Sequence, residues 1–360
     1  MQVGMTALTH LSEKAVAEWQ ALSDQAVEAN PFYEPGFVLP AAAALARPGV
    51  VQLVTIHQAG RLVAAFPATT GRWRQALPAL SSWRHKYCFL GTPLVHRDVD
   101  AGAVFTSLLH ALPAATGRRT LILEQMGADG PLHRCLLEAA TASGWTTALN
   151  RCEERAALRR RDDSAYLDHL SRKRTKEFGR LRRRLADEVG AAVAAVDVSD
   201  DRAAPDRFMR IEASGWKGLR ETAMASTVAE ATMFRSICAN FEARGQLQML
   251  ELSGGGHVMA ALSSLQSGDG QFMFKIGFDE KFAHFSPGIL LLIDNVDLFH
   301  AEGLDWIDSC AASDNPMINS LWPDRRTVST LALTSPGLLG TGVRAGLRAA
   351  NRVNELKRRS

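Results

Sequence analysis

Two carboxylates, one lysine and one helix start carry the chemistry that residue type and spacing suggest. Asp308 ends the short apolar run Leu304 to Ser309. A carboxylate placed there is costly to bury unless it is paired, which points to a network or proton-transfer role. Asp279 follows the β-rich run Gln271 to Phe278 and leads towards Ser286-Pro287-Gly288, the entry to an apolar helix over Ile289 to His300. Proline suits a first helical turn, glycine lets a ligand approach the backbone, and the free N–H groups there favour an anion such as a pyrophosphate. Lys275 stands among Phe272, Phe274 and Ile276 in the preceding run, where it can meet a phosphate or an acidic acceptor if it faces a cleft. Trp216 and Lys217 form a second aromatic–cation pair before Gly218: the tryptophan reads as a core anchor or substrate platform, the lysine as a cleft residue.

Several chemistries are disfavoured. The five cysteines are scattered and form no CxxC pair, and the ten histidines include no HExxH, so no metal site is expected. The thiols read as reduced, in a cytosol-facing protein. The first thirty residues carry Glu13, Glu18, Asp24 and Glu28 and no uninterrupted apolar core, so neither a signal peptide nor a membrane span is expected.

The elements that must position these residues fall into two halves. With 360 residues the chain suits two domains. In the first, helical periodicity over Leu8 to Glu28 and Pro35 to Ala46 precedes two strands, Val50 to His57 and Leu62 to Thr70. A strand at Tyr87 to Leu90, a helix near Ala103 to Ala114, a strand at Thr120 to Gln125, a helix at Leu132 to Ser143 and a strand at Trp145 to Asn150 follow. In the second, a Thr227-Val-Ala-Glu230 capping box opens a helix, and three strands (Gln246 to Leu252, His257 to Gln266, Gln271 to Phe278) form an antiparallel meander. Val54 to Phe66 aligns without gaps on Leu250 to Leu262, each a strand–turn–strand with Gly at the turn and Ala-Ala in the second strand, which suggests two domains of one plan. The expected boundaries are an N-terminal domain 1–155, a basic connector 156–190, a C-terminal domain 191–335 and a basic helical tail 336–360.

Charge is segregated along these boundaries. Residues 151–190 hold 13 basic against 8 acidic side chains, residues 191–335 hold 11 against 19, and residues 336–360 hold 6 against 1. Two basic segments thus flank an acidic domain. They read as solvated helices docking beside it, or as a surface for a phosphate-bearing ligand, an anionic membrane or, less in keeping with the lack of interleaved aromatics, nucleic acid.

The stretch Lys275 to Leu292, with Asp279 and Ser286-Pro287-Gly288 inside it, resembles the signature of the acetyltransferase-like proteins associated with cellulose biosynthesis, which belong to the GNAT superfamily and are related to Fem-type aminoacyl transferases. Ser171 to Leu185 is similar to that family's basic helix, Glu212 to Gly218 to its Trp-Lys-Gly segment, and Trp306-Ile-Asp308-Ser with Trp322 to Arg326 to its late strand. The resemblance implies an α/β fold of two tandem GNAT-like domains, each a mixed, mostly antiparallel sheet flanked by helices. It implies an N-acyltransferase that moves an acyl group from acyl-CoA to an amine, with Phe285, Ser286, Pro287 and Gly288 against the donor pyrophosphate. Lys275, Trp216 and Lys217 are expected to bind substrate, and Asp308, with Asp279 in reserve, to act as the base. The phosphate loop is poorer in glycine than is usual in the superfamily, and Met317-Ile318-Asn319 stands where many relatives carry a Tyr-Lys pair. The expected acceptor is an amino sugar of an envelope polysaccharide or a long-chain lipid amine, reached from the cytoplasm or the inner membrane face. The alternatives are aminoacyl transfer from charged tRNA and a non-catalytic binding module of the same fold.

Overall fold

A computed structural model describes residues 1–75, 77–214 and 223–337. Trp216 and Lys217, and the basic tail beyond residue 337, lie outside the described residues. The chain divides into two units: Met1–Ala42, Ala46–Glu154 and Arg326–Ser360 form the first, and Ala43–Leu45 with Arg155–Arg325 form the second.

In the first unit, β1 (Gln2–Ala7), β2 (Gln52–Gln58), β3 (Arg61–Trp73) and β4 (Leu77–Ser82) form an antiparallel meander, with β5 (Leu94–Val95) beside β3. β4 then pairs parallel with β6 (Thr120–Gly127). The helices are α1 (Glu13–Asp24), α2 (Pro35–Leu45), α3 (Ala101–Thr116) and α4 (Pro131–Ala142). The strand β7 (Thr146–Arg159) leads out of this unit.

The second unit repeats the plan. After α5 (Arg172–Val189), β8 (Ala194–Asp197) pairs antiparallel with β9 (Leu247–Gly254), which continues through β10 (His257–Ser267) into β11 (Gly270–Phe278). α6 (Ala204–Ser214) and α7 (Val228–Glu242) lie between β8 and β9 in sequence. α8 (Pro287–Glu302) then leads to β12 (Trp306–Asp308), which runs parallel to β11 as β6 does to β4. A one-turn helix, α9 (Pro316–Asn319), precedes β13 (Asp324–Thr334).

The sequence repeat has a conformational cause. Ala59 and Gly60 adopt φ of 50° and 80°, and Gly255 and Gly256 adopt 58° and 80°, so both hairpins turn through two left-handed residues, the geometry that matches strand twist. Thr227 caps its helix as read, its hydroxyl accepting the Glu230 N–H at 3.1 Å.

Four features differ from the sequence reading. No strand forms at Tyr87 to Leu90; the pairing with β3 is made further on, at Leu94–Val95. The first helix is shorter than its periodicity, because Leu8–His10 form a separate 3₁₀ turn and Ser12 caps the helix that begins at Glu13. β1, β4 and β8 were not legible: each is short, and their burial patterns do not alternate cleanly. β13, assigned by sequence to the C-terminal domain, pairs antiparallel with β6 from Val328↔Gly127 to Thr334↔Thr120, so residues 326–334 complete the first unit's sheet. Reciprocally, residues 157–159 of β7 pair with β12 in the second unit.

The second unit's core lies between the sheet and α8. Leu250, Leu262, Met273, Leu291, Val296 and Trp322 are all buried in it, and α5 reaches it through Leu185. Among the described residues no helix is long and apolar enough to cross a membrane.

Candidate active site

A wedge opens where β11 and β12 part. The two strands pair only from Gly270↔Trp306 to Phe272↔Asp308, after which β11 runs on to Phe278 while the chain after β12 turns away. Gly270 is required at the closed end: a Cβ there would lie 2.1 Å from the Trp306 ring. At the open end is a cavity of about 160 Å³ lined by Met273, Lys275 and Ile276 of β11, Leu292 of α8, and Cys310 and Met317 from the diverging segment.

β11 is irregular at this point. Met273 pairs with Ser264 and Lys275 with Ser263, so Phe274 is an extra residue, a β-bulge. A bulge bends its strand and re-aims the side chains that follow. Here Ile276 approaches the start of α8, where it lies 3.9 Å from the position of a Cβ on Gly288. Lys275 is directed to α6 instead, its Nζ 3.8 Å from Glu212 Oε1, while it also lines the cavity. Glu212 is buried, and its other oxygen accepts the Met224 N–H at 2.8 Å. The sequence placed Glu212 only within a family-like segment; its approach to Lys275 depends on the bulge, which no local pattern announces.

Asp308 has a different place from the one sequence suggested. It is fully buried, 0% exposed, and does not line the cavity. One oxygen accepts from Arg155 at 2.5 Å, and the other accepts the Cys310 N–H at 2.9 Å. Cys310 has φ of 51°, a left-handed conformation rare outside glycine, at the point where the chain leaves β12. Asp308 therefore braces the turn that opens the wedge. Asp279, the reserve, caps the 3₁₀ turn Glu280–Phe285 by accepting the Lys281 N–H at 3.0 Å.

The helix start has the polarity expected of an anion site but a different access. Ser286 is left-handed, φ 54°, and its side chain does not cap α8. Pro287 has no N–H, and Ile289 and Leu290 donate to the Ser286 carbonyl, which leaves the Gly288 N–H as the uncapped donor of the first turn. Gly288 is nevertheless buried, its α-carbon facing Phe278 and Ile276, and Phe285 is buried too. Half-buried Ser286 is the accessible member of the four. A cation also reaches this loop from elsewhere: the Arg184 guanidinium of α5 lies 5.7 Å over the Phe285 ring. The basic helix is visible in sequence, but its contact with this loop is not.

α5 itself is capped by Ser171 and ended by left-handed Gly190. Two of its cations are structural. Arg182 binds Asp294 at 2.5 Å and the Leu290 carbonyl, and Arg174 donates to Ser320. Arg180 pairs with neighbouring Glu177, while Arg172, Lys173, Lys176, Arg183 and Arg184 are exposed.

This strand plan, with a helix start at the end of β11 and a wedge beside it, agrees with a comparison of sequences. Residues 172–315 match the family profile described as Acetyltransferase (GNAT) domain. That stretch is GNAT-like in sequence and in fold. Among solved structures, that of FemX superposes with a TM-score of 0.60 at 10% identity, covering 92% of this chain and 97% of that one. A conserved protein of unknown function from Bacteroides thetaiotaomicron VPI-5482 gives 0.58 at 10% identity, covering 93% and 100%. The C-terminal domain of a putative lysylphosphatidylglycerol synthetase from Agrobacterium fabrum gives 0.55 at 11% identity, covering 91% and 93%. At such identities the likeness is one of fold. No curated protein matches the chain.

Proposed function

We propose that the second unit transfers an acyl group from an acyl-CoA thioester to an amine, by direct attack in the wedge between β11 and the chain after β12. The observation that carries this reading is the wedge itself: a narrow cavity beside the bulged strand, with Lys275 in its wall and the start of α8 close to Ile276 and Phe278. The residues present suit the donor. A thin pantetheine arm fits between diverging strands, and the pyrophosphate would meet Ser286, the positive end of α8 and Arg184, although Asp279 and Glu280 stand nearby as opposing charges.

The chemistry needs the amine held against the thioester carbonyl, its proton removed, and the developing oxyanion met by donors. Lys275 supplies positive charge at the cavity wall, and Glu212 orients it. Asp308 is engaged by Arg155 and Cys310, and Glu212, the carboxylate beside Lys275, is the group proposed to receive the amine's proton, directly or through water. The acceptor belongs to the class of amino sugars of envelope polysaccharides or long-chain amines, as the resemblance to cellulose-associated proteins implies.

Isothermal titration with CoA and acyl-CoA tests the donor, and thiol release with mass spectrometry of products from an amine panel tests transfer. Absence of CoA binding would sink the reading. Aminoacyl transfer from charged tRNA is the second reading, favoured by the exposed cations of α5. Transfer of labelled amino acid from charged tRNA, without any CoA binding, would select it instead.

A further inference from the structure

A second and larger groove is lined by α5, the loop before it and α8. Its volume is about 650 Å³, within the range of ligand sites, and its walls are Leu170 from the loop before α5, Phe178 of α5, and Leu290 and Ile293 of α8. The donor wedge uses Leu292 of the same helix, so the two openings lie on different faces of α8. Arg172 and Lys176, both exposed, line the edge of the groove, and Asp168 is the single acidic side chain among its lining residues. Arg182 also lines it but is held by Asp294. An apolar floor with exposed cations at the rim matches a molecule with an apolar chain and an anionic head.

We propose that this groove takes one acyl chain and the phosphate of an anionic phospholipid, and so seats the second unit on a negatively charged membrane surface. The chain would lie against Phe178, Leu290 and Ile293, and the phosphate would meet Arg172 and Lys176. Lys173 and Arg183, exposed on the same helix, add attraction to neighbouring headgroups without lining the groove. Other occupants fit less well. The chain's own residues 336–360 carry six basic side chains and one acidic, so Arg172 and Lys176 repel them. Nucleic acid would want exposed rings to stack on, and Phe178 is the one aromatic of α5, half-buried. The proposal concerns binding and does not depend on the identity of the acyl donor.

The test is flotation of the full chain with phosphatidylcholine vesicles containing or lacking phosphatidylglycerol. The wild type should float with phosphatidylglycerol vesicles and not with phosphatidylcholine alone. Replacing both Arg172→Glu and Lys176→Glu, exposed positions that leave the core untouched, should weaken binding about tenfold or more. Arg183→Glu should cost less. A phospholipid with a photoreactive acyl chain should crosslink at Leu290 or Ile293. The proposal is overturned if the double variant binds like the wild type, if Arg183→Glu costs as much, or if crosslinks fall elsewhere. Displacement from vesicles by inorganic phosphate at matched ionic strength would assign a free-phosphate site and overturn it as well.

Discussion

Three side chains separate structure from chemistry at the residue scale. Asp308→Asn should unfold the second unit more easily by about 3 kcal/mol, because a buried guanidinium loses its countercharge, while kcat of the folded fraction stays near wild type. Chemical denaturation followed by activity on the remaining folded protein checks this, and a stable but inactive variant would return Asp308 to the catalytic role. Lys275→Met should lower kcat at least tenfold, because the developing oxyanion loses a positive charge at the cavity wall, with CoA affinity unchanged; Lys275→Arg should restore part of the loss. Glu212→Gln, which keeps an acceptor for the Met224 N–H but cannot take up a proton, should lower kcat in steady-state assays with CoA affinity unchanged. In the first unit, burial first and the Arg84 charge second lower His85 from 6.5 to about 4. The unfolded chain then binds the proton more tightly, so the stability contributed by neutral His85 is complete above about pH 6.5 and is lost as pH falls towards 4. The loss amounts to roughly 3 kcal/mol, and His85→Phe should flatten that limb of the melting-temperature curve, even though it forfeits the acceptor of the Tyr87 N–H.

At the scale of elements, the loop before α8 and the basic helix α5 act together. Arg184→Ala should weaken CoA binding by about 1 kcal/mol, the scale of a partly exposed charge-assisted contact, and leave the affinity for pantetheine, which lacks the phosphates, unchanged. Equal weakening of both ligands would place Arg184 away from the pyrophosphate. These elements also show where the sequence was legible. Local signals read correctly: Ser-Pro-Gly before α8, Thr227 with Glu230, and paired left-handed residues at the two hairpins all depend on contacts within a few positions. Pairings across long separations did not. Nothing near Phe274 marks it as a bulge, because the bulge is defined by Ser263 and Ser264 on another strand. Asp308 read as catalytic because a buried carboxylate demands a partner, and its partner, Arg155, is 153 residues away. The sequence thus placed Lys275 within its strand but did not show that Glu212 stands beside it.

For the whole molecule, the two units share one order of elements, and each sheet takes a strand from the other end of the sequence plan. The second unit is, apart from 43–45, one continuous stretch, Arg155–Arg325, whereas the first needs residues 326–334 to complete its sheet. A fragment 155–325 should therefore fold and give a cooperative melt. The same fragment begun at residue 161 should not, since it lacks the partner of β12 and the arginine that neutralises Asp308. Circular dichroism on both fragments decides the matter, and equal stability would show that β7 contributes nothing essential.

That interleaving has a consequence for biosynthesis. A ribosome releases the second unit's last residue before it has made the strand that pairs with β6, so the half translated first is the half completed last. Until Val328–Thr334 emerges, one edge of β6 stays open to pairing with any other nascent chain. A stop codon after residue 325 should then yield aggregates rather than a shortened enzyme, and supplying the missing strand as a peptide during translation should rescue soluble protein.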